Sequence, residues 1–409
     1  MSAVNRLAID GGRPVRRKRL AYARQRVNDA DVQAVIKVLR SDWLTTGPEV
    51  AAFEEAFAER VGARYAVSVS SGTAALHAAV FAAGLTQGDE AITSPFSFCA
   101  TANCLLYQGA QPVFADVEPD TLTLDPRQVL RRLTVRTKAV LPVDYAGHPA
   151  ALEELLALAQ RRGLVVIEDA CHALGARYRG KPVGSISHLT VFSFHPVKHI
   201  TTGEGGMVTT DNADFARRLR LFRNHGIERD PRRQALSGPW SYEMVALGYN
   251  YRLADIGCAL GHSQLRRLDA VLARRREIAG RYTEAFRSLP GLEPPTVSAD
   301  PEVVPAWHLY PVRVDLARLR VGRLEIFRAL QAEGLAVNVH YQPIHLHPYY
   351  RNQGGYRPGD YPVAEAAYER LITLPLFDGM TDRDAQDVID AVGKVCRYFS
   401  RGHAQSDAI

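Results

Sequence analysis

Leu164-Val165-Val166-Ile167-Glu168-Asp169 runs through four apolar residues into two carboxylates. An unbroken apolar run of this kind belongs to a strand covered on both faces, as strands of a parallel sheet are. Asp169 then stands at a strand's carboxyl end, the edge outside which open α/β sheets bind ligands. A helix N-cap or a turn acid has the same local look, so Asp169 carries meaning only through its neighbours. Outward from this run, strands are expected at 66–69, 90–93, 112–115 and 138–143, with helices at 73–83 and 151–162. That alternation predicts a largely parallel sheet with helices on both faces.

Further out, Asn28 or Asp29 caps a helix whose Val32, Val35, Ile36 and Leu39 fall at helical spacing. Ser41 to Pro48 breaks it, and a second helix carrying Val50, Phe53 and Phe57 on one face stops near Gly62. Pro231 to Gly238 reads as a polar loop, and 253–288 as one long helical stretch ending at Pro290-Gly291. Beyond it a strand at 307–314, a helix at 323–333, a strand at 335–341 and a helix opened by Thr381 predict a second, smaller α/β unit. The expected division is an N-terminal arm 1–27, a large domain 28–270 and a C-terminal domain 271–409.

Leu189 to Phe194 reads as a buried strand and Met207 to Thr210 as the next, which puts Lys198 on their connection. A surface lysine on a turn is the plain reading. Desolvation, however, lowers a lysine's pKa towards the neutral amine that attacks carbonyls to form a Schiff base. Strand 66–69 leads through Ser70-Ser71-Gly72-Thr73 into an Ala-rich helix, whose free N–H groups and dipole suit a phosphate, though Ser-Gly-Thr also caps ordinary helices. A Schiff-base lysine, an acid for a pyridinium nitrogen and a phosphate cradle together are what pyridoxal phosphate requires of a protein.

Composition sets bounds on this reading. The 409 residues are 46% hydrophobic and 23% charged, as in a soluble globular protein. No apolar run spans a bilayer and no apolar signal segment follows the first charges, so the cytoplasm is the expected compartment, without a membrane partner. Cys99, Cys104, Cys171, Cys258 and Cys396 are scattered without metal spacing and read as reduced core thiols. His345 and His347 have no acid or Cys at ligand spacing, and no metal is expected. The net charge of +6 favours anionic partners in general. Arg16 to Arg19 and Arg274-Arg275-Arg276 lack interleaved aromatics, so both read as solvated or phosphate-facing surface and no nucleic acid partner is expected.

Ile9-Asp10-Gly11-Gly12, Ser70 to Leu76, Ile167 to Gly175, Phe192 to Gly206 and Gly248-Tyr249-Asn250-Tyr251-Arg252 together resemble the DegT/DnrJ/EryC1/StrS family of nucleotide-sugar aminotransferases over nearly the whole chain. The resemblance implies the aspartate-aminotransferase fold, pyridoxal phosphate fold type I: a large domain with a mostly parallel seven-stranded sheet and a smaller C-terminal α/β domain. Ser41 to Pro48, the segment around Lys198, and Asn338 to Tyr341 with His347 to Tyr350 are most similar to C4 aminotransferases of pseudaminic acid biosynthesis. That implies amino transfer from L-glutamate to UDP-2-acetamido-2,6-dideoxy-β-L-arabino-hexos-4-ulose.

By the same likeness Lys198 holds the cofactor and shuttles the proton, Asp169 pairs with the ring nitrogen and His172 lies by the ring hydroxyl. Phe98 stacks on the ring, Gly72, Thr73, Ala74 and Ser193 form the phosphate site, and Asn250 reaches that phosphate from a partner subunit, which implies a homodimer with shared active sites. Tyr22, Asp42, Trp43, Leu44, Thr45, Asn338, Val339, His340 and Tyr341 match substrate-side segments. Cys171 replaces the small residue common between the acid and His172, and Arg13 to Arg19 matches nothing in the family pattern. The family's sugar dehydratases carry His where this chain has Lys198, and a non-catalytic regulator has no use for Lys198, Asp169 and Ser193 together.

Overall fold

The computed structural model describes residues 6–401. Seven strands form the main sheet: β1 (Tyr65–Val69), β2 (Glu90–Thr93), β3 (Gln111–Phe114), β4 (Thr137–Leu141), β5 (Val165–Asp169), β6 (Leu189–Ser193) and β7 (Gly206–Thr210). Their spatial order is β1-β7-β6-β5-β4-β2-β3. Only β7 runs against the others, pairing antiparallel with both β1 and β6, while β6, β5, β4, β2 and β3 pair in parallel. The ends of β1, β5 and β6 therefore meet the start of β7 along one edge. Val166, Ile167, Val191, Phe192 and Val208 are all fully buried, as expected for strands covered on both faces.

Helices α1 (Asp29–Leu39) and α2 (Pro48–Val61) open the chain. Asn28 accepts from the Asp31 backbone N–H and Asp31 returns a bond to the Asn28 N–H, a full capping box; Gly62 ends α2 in the left-handed conformation at φ 73°. α3 (Gly72–Ala82) follows β1 directly and is buried along nearly its whole length. The stretch read as one helix at 253–288 is two, α4 (Asp255–Leu265) and α5 (Leu268–Phe286). The loop expected at 231–238 is instead a short helix, Pro231–Ser237, because Asp230 caps it and Pro231 occupies its first turn.

Beyond α5 lies a three-stranded antiparallel sheet, β8 (Leu292–Glu293), β9 (Tyr310–Val314) and β10 (Leu371–Leu374). Residues 335–341 form no strand, only isolated bridges from Leu335 to Leu20 and from Asn338 to Thr373. Helix α6 (Asp382–Phe399) is capped by Thr381 with Asp384 in a second capping box. The arm is woven into this half: Leu7 and Leu20 belong to the core that holds Ile278, Tyr310, Ile372 and Val395. Glu333, fully buried, accepts from the backbone of Ala8 and Val15 and from Lys394. Arg16, in the unassigned basic run, pairs with Asp384 and Asp387 at 2.7 and 2.6 Å. The arginine triplet departs from its expected surface position: Arg276 is exposed, but Arg275 is 1% exposed, since it shares the α5 face of Val271, Leu272 and Ile278.

Candidate active site

A cleft of about 410 Å³ opens at the shared strand edge. Ser71 to Thr73, Asp169 to His172 and Ser193 to Lys198 stand where strands end, so the sheet places these side chains, while Tyr22, His308, His340 and Tyr341 reach the cleft from outside the main sheet. β1 gives way to Ser71, whose side chain accepts from the Ala74 N–H at 3.0 Å and starts α3. Ala74 is thereby committed to the cap, which leaves the Gly72 and Thr73 N–H groups, without acceptors inside the helix, at the cleft. A Cβ on Gly72 would lie 2.9 Å from Ser193 Cβ and 3.0 Å from its hydroxyl, so only glycine lets β6 approach this turn. Gly206 is equally constrained, since its Cβ would stand 2.5 Å from the Ser71 carbonyl oxygen. The result is a narrow concavity of backbone N–H groups and a serine hydroxyl, and it fits a phosphate.

Asp169 is 5% exposed. One carboxylate oxygen accepts from the Thr101 hydroxyl at 2.7 Å and the other from the Cys171 N–H at 3.2 Å. These bonds fix an acid aimed at the cleft from the floor. Lys198, half-buried, lines the same cleft. Burial lowers its pKa, against the opposing pull of Cys171 and Asp169, and the Arg275 charge lowers it further. Position thus shifts Lys198 towards the neutral amine.

His172 also lines the cleft, and burial, then the Lys198 charge, holds it well below the usual imidazole range. Its Nε2 meets the Tyr341 hydroxyl at 3.2 Å, while its Nδ1 is buried without a partner. Phe98 is 56% exposed, not a core residue, with its ring 6.0 Å from that of Tyr341. An acid on the floor, a lysine, an unpartnered imidazole nitrogen, an exposed ring and a phosphate-sized concavity match a phosphorylated pyridine aldehyde group by group.

Ten of the expected site residues line this one cleft: Tyr22, Gly72, Thr73, Phe98, Asp169, His172, Ser193, Lys198, His340 and Tyr341. Asn338 and Val339 do not line it, although they precede two residues that do. Asp42, Trp43, Leu44 and Thr45 are exposed outside it, in a loop pinned by Asp255, which accepts from the Gly47 and Glu49 N–H groups at 2.8 and 3.1 Å. Asn250 is exposed too, bridged to Asn224. Sequence reasoning missed Thr101 and His308. Thr101 lies 68 residues before the acid it holds, and no spacing rule connects them. His345 bonds Glu365 at 2.9 Å through Nε2, and no group of three or more potential ligands occurs among the described residues.

Fold and cleft define a class: an α/β enzyme that holds a phosphorylated cofactor at its strand ends. The DegT/DnrJ/EryC1/StrS aminotransferase family pattern matches residues 25–393, and the chain belongs to that family. It is accordingly a pyridoxal-phosphate-dependent sugar aminotransferase of fold type I. The spore coat polysaccharide biosynthesis protein SpsC of Bacillus subtilis is 44% identical over 380 residues, covering 92% of this chain and 97% of SpsC. Helicobacter pylori PseC, an aminotransferase of pseudaminic acid biosynthesis, superposes with a TM-score of 0.86 at 32% identity, covering 93% of this chain and all of PseC. A putative sugar aminotransferase of Streptococcus pneumoniae in its pyridoxamine phosphate form gives 0.86 at 31% identity, covering 92% and 98%.

Proposed function

We propose that this protein transfers an amino group from L-glutamate to C4 of a UDP-linked 4-keto-6-deoxy-N-acetylhexosamine, UDP-2-acetamido-2,6-dideoxy-β-L-arabino-hexos-4-ulose. The product feeds pseudaminic acid or a related nonulosonic acid for surface glycans, in the cytoplasm. The observation that carries the reading is the cleft with Lys198 and Asp169 in a chain that superposes on PseC over 93% of its length. No helix among the described residues is long and apolar enough to cross a membrane.

Pyridoxal phosphate supplies a carbonyl for the amine and an electron-withdrawing ring. Lys198 holds the cofactor, then takes a proton from the glutamate α-carbon and returns one to sugar C4. Asp169 keeps the pyridine nitrogen charged, Phe98 covers the ring face, and Gly72, Thr73 and Ser193 bind the phosphate. His172, kept neutral, offers Nδ1 to the ring hydroxyl while Tyr341 engages its Nε2. Tyr22, His340 and Tyr341 face the sugar.

The remaining substrate and cofactor contacts come from a second copy in a homodimer. Asn250 and Asp42 to Thr45 lie outside their own cleft, and Leu236, Trp240 and Leu247, on the segment that leads to Asn250, are 88%, 76% and 73% exposed. An apolar surface of that kind marks a contact face. A second reading, amino transfer to a different nucleotide-linked keto-sugar, is favoured by the 44% identity with SpsC, which exceeds the 32% with PseC. Incubation with glutamate and a panel of UDP-4-keto and dTDP-keto sugars, followed by NMR of the products, separates the two. Borohydride treatment that fixes cofactor mass on Lys198 tests the chemistry beneath both; a colourless protein that takes up no mass removes it.

A further inference from the structure

Arg275 lies midway along α5 with Nη1 donating to the carbonyls of Trp307, His308 and Leu376, each at 3.2 Å, and with Nε buried and unpartnered. No carboxylate stands within ion-pair distance of it among the described residues, whereas its neighbour Arg274 pairs with Glu277 and Asp382. Burying a cation without a paired anion is costly, so its retention here asks for a reason. The carbonyls it holds supply one. Trp307 is a non-glycine residue at φ 52°, a backbone state that persists only where the surroundings impose it. His308, the next residue, packs its ring at a tilt 4.3 Å from that of His172, and the His199 ring lies 5.7 Å from His308.

We infer that Arg275 is a positioning residue for the cleft: it fixes the Trp307–His308 backbone so that His308 braces His172, and it sets a permanent positive charge behind His199 and His308. This rests on the cofactor reading given above. The consequence is electrostatic as well as mechanical. An imidazolium formed beside a buried guanidinium is disfavoured, and His172, His199 and His308 all lie well below the usual imidazole range. Burial is the main cause for each; Arg275 is the next for His199 and a lesser one for His308. Lys198 acts in the same direction on all three, and His340 on His172. Facing them, Asp169 and Cys171 act on Lys198, Tyr341 bonds His172, and Asp378 acts on Arg275 from beyond ion-pair distance. A neutral His172 keeps its buried Nδ1 unpartnered without adding a cation beside Lys198.

Arg275→Gln keeps amide donors for the carbonyls and removes the charge; Arg275→Lys keeps the charge. Histidine nitrogen NMR of the holoenzyme should find the three imidazoles neutral at about pH 6, below the ordinary value of about 6.5. In Arg275→Gln the His199 midpoint should rise by about 1 pH unit, a size typical of a nearby charge, and the His308 midpoint by less. Arg275→Lys should hold the wild-type midpoints. Imidazoles that titrate at the ordinary value overturn the inference, as does an Arg275→Gln protein with unmoved midpoints or a shift equal in the two variants. Should Arg275→Gln not fold, the wild-type titration and Arg275→Lys decide the matter. A protein with no visible cofactor band overturns the cofactor reading separately and leaves the imidazole titration measurable.

Discussion

The cleft and the surface from Leu236 to Asn250 are both rich in apolar and aromatic side chains, yet they use them in opposite ways. In the cleft the aromatic groups are braced: Tyr341 holds His172, His308 packs on its other side, and Thr101 fixes the acid beneath. On the surface, Leu236, Trp240, Tyr242 and Leu247 project with more than half of their area exposed. Lys198, Asp169, His172 and Phe98 line the cleft of their own chain, while the exposed surface has the composition of an interface core. The lysine chemistry and the proposed contact face therefore have different structural addresses, and mutations should separate them.

The largest expected effect is at the lysine. Lys198→Ala should lower turnover by at least about 10³-fold, within the range positioned proton-transfer groups supply, while still binding pyridoxamine phosphate. Turnover retained in that variant removes the proton-transfer role. Asp169→Asn leaves the Thr101 bond possible but removes the charge, and a loss of about 3 kcal/mol, on the order of 10²-fold in kcat, is expected from stripping a buried charge partner. On the exposed side, Trp240→Ser should leave the cofactor band untouched and weaken self-association about tenfold, measurable by sedimentation. A bleached band there would mean that the two regions are not separable. The smallest effect is a recovery: random mixing of Lys198→Ala and Asn250→Ala subunits should restore about a quarter of wild-type activity, because half the dimers then carry one intact shared site. No recovery in verified mixed dimers counts against sharing.

Much of the cofactor side was legible in the chain because each element is local. Leu164 to Asp169 announces a buried strand with an acid at its end, and Ser71-Gly72-Thr73 announces a helix start. Groups joined only by the fold were not legible: Thr101 reaches Asp169 across 68 residues, and His308 meets His172 from the other half of the molecule. Arg275 is a different kind of miss. Three consecutive arginines look like surface, but the middle one sits four residues after Val271 and three before Ile278, on the stripe that α5 buries. Phase along the helix, rather than charge, was the signal. The short helix at 231–237 was hidden by its own Pro231, which ends helices in general but begins this one after Asp230.

The bonds from Glu333 to Ala8, Val15 and Lys394 have a consequence for synthesis. Leu7 and Leu20, made before the main sheet, share a core with Val392 and Val395, made after it. On the ribosome the sheet from β1 to β7 has all its strands before that core can close, so the arm must wait through most of translation with its apolar side chains uncovered. A chain stalled between β7 and α6 would then carry a finished sheet beside an unclaimed arm, a natural target for chaperones.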